Sequence, residues 1–130
     1  MSDRLLVDTR VVIWILEASP RISSRAKRAL FDPATTLLVS VVSIWEMIFK
    51  YQARKLILTT SLDGALDRII HQSPWALLPV IPEHLSTLAT LPTVHKDPFD
   101  RMLVAQAGYE GLIILTPDKD IAKYDVRTLW

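Results

Sequence analysis

Four runs of this chain are apolar almost without a break: RLLVD (4–8), TLLVSVV (36–42), LLPVI (77–81) and LIILT (112–116). Strands of that composition must be covered on both faces, the condition of a parallel sheet packed between helices. A shorter run, VRTL (126–129), reads as a fifth strand. Pro79 has no N–H to offer a ladder, so the 77–81 strand is expected at an edge. Between the runs lie helical patterns over 10–17, 21–31, 43–54, 61–72, 82–90, 98–110 and 118–124. Short strands alternating with helices predict an α/β sandwich. At 130 residues the chain is expected to form one domain, 1–130, large enough to bury a core without covalent staples.

Two helix starts are written plainly. In SIWE (43–46), Ser43 reads as the N-cap and Glu46 as the third helical residue of a capping box. In DPFD (97–100), Asp97 is the N-cap, Pro98 the first helical residue and Asp100 the third, and Gly111 closes the helix.

A parallel sheet ends all its strands on one edge, and ligands bind in the crevice outside those ends. Asp8 closes the first strand, Asp118 follows the fourth by two residues, and Glu46 opens the helix that leaves the second. The 98–110 helix joins the fourth strand through a very short turn and so runs antiparallel to it, which carries Asp100 to the same edge. Each acid also has a plain structural reading. Glu46 and Asp100 can complement a helix dipole for ~0.3–1 kcal/mol, Asp118 can be a turn residue, and Asp8 can be one half of an ion pair with Arg10. Together, like charges so close raise one another's proton affinity and disfavour the fold. A divalent cation removes that conflict, and an all-oxygen donor set selects Mg²⁺ or Mn²⁺ over Zn²⁺. Such a site suits metal-assisted phosphodiester hydrolysis.

Composition excludes several other chemistries. The chain has no cysteine, no G-x-S-x-G and only 3 glycines, so thiol catalysis, serine hydrolysis and a glycine-rich phosphate loop are not expected. No stretch approaches the ~20 apolar residues of a membrane span. Asp3, Asp8 and Arg10 interrupt any signal-peptide core, and the lack of cysteine fits a cytoplasmic protein. A net charge of +1 favours no partner by itself, but hydrophobic residues make up 50% and mean hydropathy is +0.26, which suggests a buried partner surface. Lys50 and Arg54 follow Glu46 on one helical face, either as a solvated Glu–Lys pair or as a phosphate-contacting strip, and Lys96, Arg101 and Lys119 flank the other acids. His71 and His84 read as surface residues, His95 lies close to the acidic edge, and Trp14, Trp45 and Trp75 read as core or interface.

The segments LLVDTR, SVVSIWEM, HKDPFDRMLVAQA and IILTPDKD, in this order along nearly the whole chain, resemble the PIN-domain family, in particular the VapC-type toxins of bacterial toxin–antitoxin pairs. The resemblance implies a three-layer α/β/α sandwich with a mostly parallel sheet in the order 3-2-1-4-5, and a Mg²⁺- or Mn²⁺-dependent endoribonuclease. It places the family's acidic quartet on Asp8, Glu46, Asp100 and Asp118, with Asp8 and Asp100 as direct metal ligands. Asp97 then suits a cap and Asp120 an outer-shell water. It further implies an RNA substrate, homodimers and a small cognate antitoxin, which accounts for the apolar excess. One position departs: the family's D-T-H is here Asp8-Thr9-Arg10, and Arg10 can either compete with metal for Asp8 or clamp a phosphate. Two alternatives remain at this point. One is a receiver or phosphatase-like acidic-pocket protein, although neither the adjacent acids of receivers nor D-x-D-x-T is present. The other is a PIN-like protein that binds RNA without cleaving it.

Overall fold

In the computed structural model, which describes residues 3–130, five strands form one sheet. They are β1 (Arg4–Val7), β2 (Thr36–Ser40), β3 (Ala76–Leu78), β4 (Ile113–Leu115) and β5 (Thr128–Leu129), in the order β3-β2-β1-β4-β5. Every pair is parallel, with Leu5 beside Leu37 and Ile113, and Leu6 beside Leu38 and Ile114. The order is the one implied by the resemblance, and β3 is an edge strand.

Alternation along β1 splits the core in two. Leu5 and Val7 face a cluster with Val11, Val12, Val39 and Met47, under α1 (Thr9–Leu16), α2 (Ser24–Phe31), α3 (Val41–Gln52) and α4 (Leu62–Asp67). Leu6 faces Leu38, Leu103, Val104 and Ile114 on the side of α5 (Pro82–Thr90) and α6 (Pro98–Glu110). Leu5, Leu6 and Val7 are thus all buried, which explains why the run shows no polar alternation. No helix among the described residues is long and apolar enough to cross a membrane.

Several expected boundaries move. β2 ends at Ser40 and α3 begins at Val41, so Ser40 rather than Ser43 is the N-cap, its hydroxyl accepting from Val42 N at 3.0 Å. The β-branched pair Val41–Val42 reads as strand by propensity, but the cap and tertiary packing override it. α3 stops at Gln52, and Arg54 has φ 59, so Arg54 is not on the helical face of Lys50. Pro79 falls just after β3 rather than inside it. The 61–72 helix is α only to Asp67 and continues as a π-helical turn, Arg68–Gln72. The expected 118–124 helix shrinks to a 3₁₀ turn, Ile121–Lys123.

His84 is not a surface residue but wholly buried. Its Nδ1 accepts from Ile81 N at 3.1 Å and its Nε2 lies 3.0 Å from Glu110 Oε2, which pins α5 to the C-terminal end of α6. Beside it, buried Gln106 accepts from Ser40 Oγ at 2.6 Å and donates to Pro79 O at 3.2 Å. One amide therefore joins α6 to the ends of β2 and β3. Gln106→Leu would strand both partners, each at a cost of about 1–3 kcal/mol. The expected result is a lower urea midpoint at an unchanged denaturant slope, measured by circular dichroism.

Candidate active site

Asp8 stands at the N-cap position of α1, yet its side chain caps no backbone donor. Thr116 Oγ1 donates to Asp8 Oδ2 at 2.7 Å and accepts from Asp118 N at 3.0 Å, so one hydroxyl ties the ends of β1 and β4 together. Burial pushes the Asp8 carboxyl above the usual range. The Thr116 bond and Arg10 oppose the rise, and Glu46 and Asp118 add to it.

The start of α6 forms as the sequence indicates. Asp97 Oδ1 accepts from Phe99 N at 2.8 Å and Asp100 N at 3.2 Å, which turns Asp100 inward. Burial, with the charges of Asp8, Asp97 and Glu46, pushes Asp100 up to about 7, and His95 partly offsets this. Asp118 goes the other way. Burial alone would raise it, but the backbone N–H groups of Asp120 and Ile121 and the His95 ring hold it below its ordinary value. Those N–H groups occupy Oδ1, at 2.8 and 3.4 Å, and leave Oδ2 facing Arg10 Nη2 at 3.3 Å and His95 Nε2 at 3.2 Å.

Glu46 enters from α3 as its sixth residue rather than its third, because the helix starts earlier than SIWE suggests. Thr9 Oγ1 donates to Ser43 Oγ at 2.8 Å and locks the start of α1 against α3 one turn before Glu46. The Lys50 ammonium takes Glu46 Oε2. Glu46 Oε1 has no partner, and among the described residues it is the one buried side-chain polar atom in that condition.

The edge thus gathers the four acids reached from sequence. One ligand atom each from His95, Asp100 and Asp118 lies within 4.8 Å of the others, and Asp8 and Glu46 are close enough to repel Asp100. Arg10 bridges Asp8 Oδ2, at 3.8 Å, and Asp118 Oδ2. An orphaned buried carboxylate oxygen among repelling carboxylates is the environment a hard divalent cation satisfies, and Asp8, Asp100, Asp118 and Glu46 are the residues that could hold one.

Three expected site residues are placed elsewhere. Arg54 lies past the end of α3. Arg101 donates to Pro92 O at 2.8 Å and Tyr124 Oη at 3.2 Å, so its guanidinium fastens a loop rather than facing a phosphate. Asp120 pairs with Lys123 at 3.0 Å on the surface, and only its backbone N–H serves the site. Trp45 is 61% exposed and edge-on to Phe99, so it is no part of the core. Sequence reasoning missed Thr116, although the available signal was the one that exposed Asp8: a polar residue ending an apolar run. Thr9 and Ser43 carried no comparable signal, because their partnership is 34 residues apart in the chain.

The family model for the PIN domain matches residues 5–127. Among solved structures, VapBC2 from Rickettsia felis bound to a DNA fragment from its promoter superposes with a TM-score of 0.73 at 12% identity, over 97% of both chains. FitAcB from Neisseria gonorrhoeae gives 0.68 at 17% identity, over 97% of this chain and 96% of that one. VapBC-5 from Mycobacterium tuberculosis, a member of the VapBC family of toxin–antitoxin systems, gives 0.61 at 18% identity, over 97% and 95%. At such identities the likeness is one of fold. No curated protein matches the chain significantly.

Asp100 makes metal-free stability depend on pH. Its folded value of about 7 exceeds the ordinary 3.8, so between the two the folded state binds more protons than the unfolded one. Its contribution is complete below 3.8 and is lost as pH rises toward 7. With chelator present, Tm is expected to fall across that window. Asp100→Asn should flatten the fall, and added Mg²⁺ should raise Tm most at the neutral end. Differential scanning calorimetry reads all three.

Proposed function

The chain belongs to the PIN-domain family, and from that premise we propose that it is a Mg²⁺- or Mn²⁺-dependent endoribonuclease acting as the toxin of a toxin–antitoxin pair. The observation that carries this is Glu46 Oε1, a buried carboxylate oxygen with no partner, beside carboxylates that repel one another. The protein's own cations fall short of that charge. Lys50 takes one oxygen of Glu46, and Arg10 is shared between Asp8 and Asp118. Family membership leaves the receiver and phosphatase alternatives without support.

A bound Mg²⁺ or Mn²⁺ supplies charge neutralisation at a scissile phosphate and makes a water more acidic. Asp8 and Asp100 are assigned to hold it, with Asp118 and Glu46 completing the set. Thr116 keeps Asp8 Oδ2 oriented and fixes the turn that presents Asp118. Glu46 Oε1, which no protein group occupies, is the acceptor available to the ion or to a water beside it. Half-exposed Arg10 and Lys50 offer donors to phosphate oxygens, contacts that hold RNA without reading sequence.

The solved relatives VapBC and FitAcB support an antitoxin partner. An apolar groove beside the site, with Trp45, Val80, Leu85 and Phe99 on its walls, suits a protein partner, and a homodimer is part of the same reading. The absence of cysteine is consistent with the cytoplasm as the site of action.

The Arg10 bridge favours a second reading, RNA binding without cleavage. A fluorogenic RNA panel with Mn²⁺ separates the two. The nuclease reading expects wild-type cleavage, none from Asp8→Asn or Asp100→Asn, and a loss of about 100-fold in Glu46→Gln. An inactive wild type whose Arg10→His variant cleaves would support the binding reading.

If Arg10 is a phosphate contact, Arg10→Ala should raise KM with kcat largely kept. An unchanged KM would remove it from the substrate surface.

A further inference from the structure

We propose that His95 is a hydrogen-bond donor that positions Asp118 beside Asp100, and that it is not a metal ligand, although its Nε2 stands where a ligand would. The proposal rests on the metal-site reading above. Nε2 lies 3.1 Å from Asp100 Oδ2 and 3.2 Å from Asp118 Oδ2, so by distance alone the ring completes a three-residue cation site.

The other ring nitrogen decides the matter. His95 Nδ1 accepts from Asp97 N at 3.1 Å. A nitrogen that accepts carries no proton, so in the neutral ring the proton is on Nε2, aimed at Asp118 Oδ2. Coordination through Nε2 would need a lone pair there and a proton on Nδ1. That proton would confront the Asp97 N–H, donor against donor. The Asp97 N–H cannot turn away easily, because the Asp97 side chain caps α6 through Phe99 N and Asp100 N.

The backbone of His95 is held as well. Its N–H donates to Tyr124 Oη at 2.8 Å, and the same oxygen accepts from Arg101 Nη1 at 3.2 Å. Arg101 therefore serves the site at one remove: it fixes Tyr124, which fixes His95. The result is a ring locked by the helix cap on one side and the tyrosine on the other. Its N–H donates to Asp118 Oδ2, and Asp100 Oδ2, from a separate segment, lies 3.1 Å from the same nitrogen.

Two measurements test this. Long-range ¹H–¹⁵N NMR of the metal-free protein should show His95 protonated on Nε2 and bare on Nδ1; a protonated Nδ1 with a bare Nε2 overturns the proposal. Calorimetry of Mn²⁺ and Zn²⁺ binding to the wild type, His95→Ala and His95→Gln provides the second. A positioning donor predicts Mn²⁺ affinity about 10-fold weaker in His95→Ala. It predicts most of that restored in His95→Gln, whose amide N–H reaches as Nε2–H does, with the Zn²⁺-to-Mn²⁺ affinity ratio unchanged. A nitrogen ligand predicts instead that this ratio falls about 10-fold in both variants, since imidazole favours Zn²⁺. That result, or an unaltered Mn²⁺ affinity in His95→Ala, overturns the proposal. A wild type that binds neither ion sinks the metal-site reading, and the positioning role for a metal with it, while the NMR arm still decides whether the ring is a donor.

Discussion

Repulsion among buried carboxylates at one edge of the sheet is the constraint around which the rest is arranged. A parallel sheet with short connections leaves no choice about where Asp8 and Asp118 emerge, or where the first turns of α3 and α6 begin. The acids are restrained by different means. A threonine hydroxyl holds Asp8, backbone N–H groups and His95 hold Asp118, and a neighbouring cap turns Asp100 inward. These devices orient the charges but do not neutralise them, as the raised values of Asp8 and Asp100 show. Like charges held this close raise one another's proton affinity, and under the proposed function a bound cation would relieve the same repulsion.

Helix α6 carries the constraint through the protein. Its N-terminal end presents Asp97 and Asp100, its middle presents Gln106 to Ser40 and Pro79, and its C-terminal end presents Glu110 to His84. Ser40 caps α3, the helix that bears Glu46. A single rigid helix thus sets the position of Asp100 and, through Gln106 and Ser40, the starting point of the helix that delivers Glu46. This gives a physical reason for a buried amide in the otherwise apolar MLVAQA (102–107). It is a polar joint between two elements, fully satisfied by its partners, and so stiffening rather than costly.

The architecture was legible because its signals are local or periodic. Near-continuous apolar runs report double-sided burial in β1 and β4, though not at edge strand β3, where Leu77 is exposed, and Asp97-Pro98 followed by Gly111 brackets α6 correctly. The convergence of the acids followed from parallel topology alone, and for Asp100 from the length of one connection. What was not legible depends on pairing across the chain. Ser43 is a plausible cap on paper, but Ser40 already has Gln106 at 2.6 Å to hold its hydroxyl in place, 66 residues away. His84 shows no telling spacing, since its partners Ile81 and Glu110 are a backbone donor and a remote acid. Lys50 and Arg54 look like one helical stripe until the chain leaves the helix at Gln52. Arg101 looks like a phosphate contact until Tyr124 is found beneath it.

Arg10 is where the chain departs from the family's usual D-T-H, and magnitude decides how much that matters. The guanidinium reaches both Asp8 and Asp118, so under the proposed function an entering cation would have to displace it. Its side chain is 48% exposed, and its contact with Asp8 is a loose 3.8 Å. Ion pairs with one partner this exposed are worth about 0–1 kcal/mol after screening. Since about 1.4 kcal/mol is tenfold in affinity, such a displacement would weaken the proposed cation binding by less than about tenfold. A displaced arginine would not leave the edge of the site. Its backbone lies in the first turn of α1, two residues after Asp8, within reach of the same crevice. Under the proposed function an arginine displaced by a cation would remain in reach of a phosphate at the same edge, so the two roles open to it in the sequence are compatible.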